Sequence, residues 1–375
     1  MNHTKRMQQP NQTRQRAAGF SILELMIALT LGLVVIAGII QLFTGNSRTY
    51  ELVNAQSRLQ ENARYAFEFF SSAARNTGYL GCAPEDANLV KGLVGNWTAI
   101  PEYNISEPLG GFEANGDGTY GPNDLLSLPR TEGGTNLNVH FNGNGIDRNE
   151  LDPASDIVVF RSIQQPVARL VSTLQPTDDP VVHTPGGQPA FAINDVIVVA
   201  DCEQAALVKV TGVTPGVDQS TLTIGTGAGV FDNGVNITTP TGDVLPATLS
   251  ILGRSYGQAA TVGIAETTIF FIAESADLNN RDQPVNALWR KVGSDAPVEL
   301  IQGVTNMQVM YGVDSSVDGV ANVNRYQTID AVADVNTIVS IRVRMDIISP
   351  DVLAEANQQL VRTFSKTISV RNSGV

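Results

Sequence analysis

The sequence predicts an α+β protein in which one long amino-terminal helix packs on a large antiparallel β-rich head. Two observations lead to this fold class. An apolar run that begins at Phe20 continues into an amphipathic segment, and no proline interrupts the chain from there to Pro84. The rest of the chain alternates short β-branched runs with clusters of Gly, Pro, Asn and Asp, which is typical of antiparallel sheets.

The first half of the predicted helix is long enough to cross a membrane. Residues 25–43 carry no charged side chain. The roughly 24 residues from Phe20 to Phe43 span about 36 Å as a helix, whereas the hydrocarbon core of a bilayer is about 30 Å thick. Basic residues without any acid precede Gly19, so the positive-inside rule leaves that end in the cytoplasm and sends the rest across.

Small residues precede the apolar run rather than follow it. An ordinary secretory signal has its small-residue cleavage site after the apolar region, whereas Ala17, Ala18 and Gly19 come before it. Cleavage there would leave the apolar segment in the mature protein. Glu24 is the fifth residue from Phe20, and an ionised carboxylate in hydrocarbon is costly unless a cation neutralises it.

The segment "GFSILE" after a short basic leader resembles the class III signal of type IV prepilins. The resemblance implies that a prepilin peptidase cuts between Gly19 and Phe20 and that the same membrane enzyme N-methylates the new Phe20 amine. It also implies that Glu24 meets the amino-terminal ammonium of a neighbouring subunit when helices bundle in a fibre. The alternative is a Glu near a helix end that reaches the headgroups or is protonated in lipid.

The second half of the predicted helix is amphipathic. Leu52, Leu59, Ala66 and Ala73 recur every seven residues, which indicates one apolar stripe that docks on the head. Gly78 is the expected stop. A coiled coil is the alternative, but so many Ala residues make a poor coiled-coil seam.

The predicted domain division has three parts: a leader at 1–19, a helix at 20–78 whose transmembrane part covers about 20–43, and a β-rich head at 79–375. The head is either one domain or two β subdomains with a weak break near 240–260. The clear strand candidates are residues 156–162, 195–201, 206–213, 267–274, 286–292, 307–313 and 337–348.

The chain has two cysteines, Cys82 and Cys202. Both lie in the part predicted to be translocated, where an oxidising compartment favours a disulfide. The bond would close a loop of about 120 residues and contribute on the order of 4 to 5 kcal/mol in the chain-entropy model. Two free buried thiols are the alternative.

Composition argues against several other functions. The formal net charge is −13, and the folded part lacks the clustered Lys and Arg that a nucleic-acid partner would need. "GRSYG" at 253–257 matches the nucleophile elbow of hydrolases, but that chemistry needs a His after Ser255, and all the histidines precede it. The sequence therefore favours a turn there, and the scarcity of His and Cys makes a zinc site improbable.

A calcium loop is the one metal site that the sequence suggests. Over residues 113–124, Glu113, Asn115, Asp117 and Asp124 hold positions one, three, five and twelve of the EF-hand spacing, with Gly at position six. The first and last ligands are not the usual residue types, and flanking helices are not predicted. A solvated loop is therefore the alternative, and no other cofactor is expected.

Two segments of the head resemble the PilW family of minor pilins: the layout of residues 287–343 and "DVIVVADCEQAALVKVT" at 195–211. The resemblance implies a pilin-like fold and a non-enzymatic subunit of the complex that initiates or caps a type IV pilus. Its implied partners are the prepilin peptidase/methyltransferase, other minor pilins, the major pilin and a large tip adhesin. No nucleic-acid partner is expected.

The implied location is the inner membrane, crossed once, with the carboxyl-terminal head in the periplasm and later in the pilus at the cell surface. A minor pseudopilin of a type II secretion system is the nearest alternative, because it shares the signal and the head plan. A membrane-anchored periplasmic hydrolase or binding protein is a more distant alternative.

Overall fold

The structure is a computed structural model, which divides the chain into two compact units, Met1–Asn54 and Ala55–Val375. The residues that it describes are 19, 21–83, 88–91, 105, 107–115, 120–121, 151–225, 233, 251–293, 295–316, 320, 322–353 and 358–370.

The helix α1 runs Ile22–Asn76. At its end, the Thr77 amide donates to the Ala73 carbonyl at 3.0 Å, and Gly78 turns the chain with φ of +73°. This left-handed conformation strains residues that have a Cβ. Gly78 therefore stops the helix, as its position in the sequence predicts.

The described strands of the head are β1 (Asn88–Lys91), β2 (Leu109–Ala114), β3 (Tyr120–Gly121), β4 (Ile157–Ile163), β5 (Ala168–Arg169), β6 (Val181–His183), β7 (Val196–Ala200), β8 (Gln204–Lys209), β9 (Gly212–Pro215), β10 (Gln219–Thr223), β11 (Thr261–Leu278), β12 (Pro284–Val292), β13 (Val298–Gln302), β14 (Val304–Val313), β15 (Arg325–Gln327), β16 (Ile338–Ile348) and β17 (Val361–Ser369). Short 3₁₀ turns cover Pro185–Gly187, Ile329–Ala331 and Val335–Thr337.

Within the described residues, these strands form sheets of ten, four and three strands. The long strand β11 organises the largest sheet, because its first part pairs with β7, its middle with β4 and its last part with β12. The four-stranded sheet has the order β15-β14-β16-β17, and the three-stranded sheet the order β6-β10-β9. Strand β1 pairs with β8 in parallel, and the other described pairs of strands are antiparallel.

The main core lies where the second part of α1 meets the ten- and four-stranded sheets. Leu59, Ala66 and Phe70 on α1 are fully buried there, against side chains of β4, β11, β14, β16 and neighbouring strands. Leu59 and Ala66 belong to the predicted apolar stripe, so this part of the stripe faces the head as predicted, whereas Leu52 at its start is exposed. The helix packed on an antiparallel β-rich head confirms the predicted α+β, pilin-like fold class.

Most of the strand candidates appear close to their predicted bounds, but two differ. The candidate at 267–274 is the middle of the longer β11. The candidate at 206–213 is divided between β8 and β9, because the chain changes sheets there. The Val210 amide bonds to the Asp195 carbonyl, whereas the next amide, of Thr211, bonds to the Thr223 carbonyl of the three-stranded sheet.

Candidate assembly site

The described part of the first unit is the beginning of α1, and its surface is apolar. The most hydrophobic 18-residue window has a mean hydropathy of 2.5, and none of its residues is buried within the structure. Phe43, for example, is 73% exposed. The helix is long and apolar enough to cross a membrane, and a surface of this kind is stable against lipid or against other apolar helices.

A capping box begins this helix. The Ser21 amide donates to Glu24 Oε2 at 3.2 Å, and the Leu23 amide donates to Ser21 Oγ at 3.2 Å. This reciprocal arrangement satisfies amide groups that the first turn of a helix leaves without partners. Glu24 Oε1 has no hydrogen bond to the described residues, so half of the carboxylate is available to a second donor.

The predicted processing site lies directly before this capping box. Gly19 is exposed, and nothing lies within 4 Å of the position where its Cβ would be. Phe20 and the leader residues 1–18 lie outside the described residues. Cleavage between Gly19 and Phe20, N-methylation of Phe20 and the pairing of Glu24 with an ammonium therefore stay predictions.

Aromatic rings fix the second part of α1 to the head. The Phe70 ring stacks on Phe270 of β11 with ring centroids 4.3 Å apart, and Phe160 of β4 meets both rings edge-on. Stacked and edge-to-face rings contribute about 0.5 to 1.5 kcal/mol per pair beyond the area that they bury. This cluster holds the helix against the ten-stranded sheet.

A polar contact adds the carboxyl-terminal strand to the same interface. Lys366 Nζ on β17 donates to Ser71 Oγ at 2.9 Å, and this buried hydroxyl donates in turn to the Phe67 carbonyl at 2.5 Å. The ammonium and the hydroxyl connect α1 to the last described strand of the chain. Helix and sheet are therefore joined by hydrogen bonds as well as by apolar packing.

A disulfide joins the end of the helix to the ten-stranded sheet. Cys82 and Cys202 are bonded, with their Cα atoms 4.6 Å apart and 120 residues of separation in sequence. Cys82 follows α1 closely, and Cys202 lies in the turn between β7 and β8. The predicted disulfide is confirmed.

An arginine that the sequence did not single out holds the Cys202 turn. Arg254 donates to Asp201 Oδ2 at 2.6 Å and to Glu203 Oε2 at 2.7 Å, and its guanidinium lies 5.7 Å from the centroid of the Tyr256 ring. The hydrogen bond to Glu203 raises the pKa of Arg254, with the charge of Asp201 adding to the effect. Residues 201 and 254 are far apart in sequence, so no local pattern indicates this contact.

A buried carboxyl group connects the two larger sheets. Asp156 Oδ1 accepts from the Ala114 amide of β2 at 3.0 Å, and Oδ2 accepts from the Val309 amide of β14 at 2.7 Å. Burial raises the pKa of Asp156 to about 6, although the two amide bonds act in the opposite direction. Burial, with a contribution from the charge of Asp156, also raises the pKa of Glu113 to about 7.

The residues of the predicted calcium loop are only partly described. Glu113 lies in β2, opposite Gly121 of β3, and Asn115 is exposed. Asp117 and Asp124 lie outside the described residues, so the calcium loop stays a prediction. In the part of the chain that the structure describes, no cluster of three or more His, Cys, Asp or Glu residues could hold a metal ion.

The segment "GRSYG" forms a turn. Gly253 has φ of +77°, and Ser255 Oγ donates to Gln175 Oε1 at 3.0 Å. Buried Tyr256 forms a β-bridge with Leu174, and the chain then enters β11 rather than the helix that follows a nucleophile elbow. This geometry favours the turn over the hydrolase alternative.

Comparison with known proteins gave two family matches. Residues 269–373 match type IV pilus-assembly protein W; this region contains β12 to β17 and the last part of β11. Residues 14–40 match the prokaryotic N-terminal methylation motif, which here includes Gly19, Phe20 and Glu24. Searches of curated proteins and of solved structures returned no match.

The two matches agree with the geometry at the two ends of the chain. The methylation motif covers the capping box and the exposed apolar part of α1. The assembly-protein match covers most of the strands on which the second part of α1 packs, with β2 and β4 outside it. Together they support the resemblance found in the sequence: the amino terminus carries a methylation motif of the class III prepilin type, and the carboxyl-terminal region matches the PilW family.

Proposed function

We propose that the protein is a structural minor pilin of a type IV pilus, which takes part in initiation of assembly or in the tip complex. One observation carries the proposal. The first part of α1 exposes an apolar surface and the capping-box carboxylate of Glu24. The second part of α1 packs in the core of a folded head. The first part suits packing among other helices, and the head suits contact with other subunits.

The proposed maturation creates a cation that can neutralise Glu24. Cleavage between Gly19 and Phe20 turns the Phe20 amide nitrogen into a terminal amine, which stays protonated when N-methylated. In a helix bundle of low dielectric, the ammonium of one subunit would neutralise the Glu24 carboxylate of its neighbour. Glu24 Oε2 is held by the Ser21 amide, so Oε1 is the oxygen offered to the neighbour.

The proposed location follows from the same end of the chain. The protein would cross the inner membrane once, with its head in the periplasm, and would then enter the pilus at the cell surface. Its partners would be the prepilin peptidase/methyltransferase, other minor pilins, the major pilin and a large tip adhesin. In this role the head is a structural module rather than a catalyst.

Mass spectrometry of the mature amino terminus, together with a count of surface pili in a deletion strain, tests the proposal. We expect an N-methylated Phe20 and a loss of pili that the intact gene restores. A mature protein that retains residues 1–19 would contradict the proposal. Normal piliation with defective protein secretion would instead favour the pseudopilin of a type II secretion system; the match to a pilus-assembly family favours the pilus.

Two substitutions of Glu24 separate its charge from its role in the helix cap. Glu24→Gln keeps an oxygen that can accept from the Ser21 amide, since Gln also serves in capping boxes, but it carries no charge. Glu24→Ala removes both. We expect both variants to be cleaved and methylated, and both to fail to enter pili. Incorporation of Glu24→Gln at the wild-type level would show that the charge is not needed.

A further inference from the structure

The disulfide lies in an unusual electrostatic setting. Cys202 has an acidic residue on each side, Asp201 and Glu203, in the turn between β7 and β8. Both bonded cysteines are exposed residues, so the bond lies at the surface of the head. Arg254 bridges the two carboxylates with hydrogen bonds of 2.6 and 2.7 Å, so one guanidinium joins the two residues that flank Cys202.

Charge next to a thiol controls its reactivity. The thiolate is the form that attacks a disulfide, and neighbouring carboxylates oppose its formation whereas a neighbouring guanidinium favours it. Without Arg254, two negative charges would flank the Cys202 thiol. With it, the hydrogen-bonded guanidinium offsets much of that charge.

Contacts other than the disulfide hold both cysteines in place. On one side, Asp201 Oδ1 accepts from the amides of Glu203 and Gln204, each at 2.9 Å, which fixes the turn. On the other side, Gly81 has φ of +83°, and a Cβ there would collide with Thr261 Oγ1. This close approach presses the segment before Cys82 against β11, so the folded head can align the two thiols before they are joined.

We propose that Arg254 is a positioning residue for oxidation of Cys82 and Cys202 by thiol–disulfide exchange. The oxidant is a disulfide, either that of an extracytoplasmic oxidoreductase or a small-molecule disulfide. The Cys202 thiolate attacks one sulfur of the oxidant, whose other sulfur leaves as a thiolate. The Cys82 thiolate then displaces the remaining oxidant sulfur from Cys202. The cysteines lose two electrons and two protons, and the oxidant is reduced to two thiols.

The rate of oxidation as a function of pH tests this role. The full-length protein in detergent micelles is reduced, freed of reductant and mixed with glutathione disulfide, and free thiols are counted by alkylation and mass spectrometry. We expect Arg254→Gln to move the midpoint of the pH–rate profile upward by about half to one pH unit, which slows oxidation near neutral pH by about threefold to tenfold. An unchanged midpoint would overturn the proposal.

Two further variants separate charge from structure. Arg281→Gln removes an exposed arginine from the turn between β11 and β12, and its profile should match the wild type. Asp201→Asn with Glu203→Gln keeps the turn acceptor but leaves Arg254 uncompensated, so the midpoint should move downward. Adding Arg254→Gln to this double variant should move the midpoint back upward, and it leaves no unpaired charge if Arg254→Gln alone fails to fold; an unchanged midpoint in the triple variant would contradict the proposal.

Discussion

The ring of Phe70 on α1 stacks on the ring of Phe270 on β11, with centroids 4.3 Å apart and planes inclined by 28°. Both side chains are buried. The pair lies in the core that the helix shares with the ten- and four-stranded sheets. One helix residue therefore couples the second part of α1 to the longest described strand of the head.

Replacing Phe70 by Ala should destabilise the head strongly. Removal of a fully buried Phe side chain costs about 3 to 5 kcal/mol, because apolar contact is lost and a cavity remains. Urea unfolding of the full-length protein in micelles, followed by tryptophan fluorescence, measures the change in the free energy of unfolding.

Tyr65→Ala on the same helix is the matched control. Tyr65 is 49% exposed, so its loss should cost well under half as much. Equal costs for the two variants would show that the aromatic cluster does not fix the helix to the head.

Loss of the disulfide should lower the stability of the same unit. A bond that closes 120 residues restricts the unfolded chain, and the chain-entropy model gives about 4 to 5 kcal/mol for a loop of this size. Cys82→Ser with Cys202→Ser should therefore unfold at a lower temperature than the oxidised wild type in calorimetry. Reduction should lower the transition of the wild type and leave that of the double variant unchanged; a wild type insensitive to reduction would contradict the prediction.

Stability should fall as the pH rises through the range in which Glu113 and Asp156 titrate. Their carboxyl pKa values are raised in the folded protein, to about 7 and about 6. The native state therefore binds more protons than the unfolded state over this range, and the free energy of unfolding decreases with rising pH. This contribution is full below the ordinary carboxyl range, near pH 4, and is lost once the pH exceeds about 7. Urea unfolding at a series of pH values measures it.

Glu113→Gln should flatten this pH profile. The amide resembles the protonated carboxyl group in shape and cannot ionise, so the variant should lose less stability than the wild type between pH 5 and about 8. Glu274→Gln, at an exposed position of β11, is the control and should leave the slope unchanged. An equal slope in all three proteins would show that Glu113 does not carry the effect.

The sequence identifies the parts of the fold that depend on local pattern. The stripe on α1 follows the spacing of a helix, and the apolar run before it has the length of a membrane-spanning helix. Runs of Val and Ile in β4, β7 and β16 are typical of buried strands. Strand β17 was not among the candidates, since Thr, Ser and charged residues dominate it and much of it is exposed at the edge of its sheet. An edge strand of this kind carries little of the apolar alternation that sequence reading depends on.

At the candidate site, too, local contacts can be predicted from the sequence and long-range contacts cannot. The capping box of Ser21 and Glu24 has a readable signature, Ser followed three residues later by Glu. The contacts of Arg254 with Asp201 and of Asp156 with Val309 join residues 53 and 153 positions apart. The packing of the sheets brings these residues together, so no local spacing in the sequence indicates the contacts.

Gly303→Ala should disturb the corner between β13 and β14. Gly303 has φ of +89°, and a Cβ there would lie 2.5 Å from the Ile348 carbonyl oxygen. The left-handed conformation alone costs about 1 to 2 kcal/mol for a residue with a Cβ, and the collision adds to it. Gly257→Ala is the control, because nothing lies within 4 Å of its Cβ position. Urea unfolding should separate the two variants by more than 1 kcal/mol, and equal stabilities would contradict the prediction.

Ser21→Ala should weaken the presentation of Glu24 without removing its charge. The substitution deletes the oxygen that accepts from the Leu23 amide, and loss of such a cap costs about 1 kcal/mol of helix stability. The Glu24 carboxylate keeps its bond to the residue 21 amide, but on a first turn that opens more often. We therefore expect faster hydrogen exchange at the Leu23 amide in micelles and reduced, though not abolished, incorporation into pili. Ser21→Thr retains a capping hydroxyl and should behave like the wild type; a loss of incorporation in Ser21→Thr equal to that in Ser21→Ala would argue against the capping role.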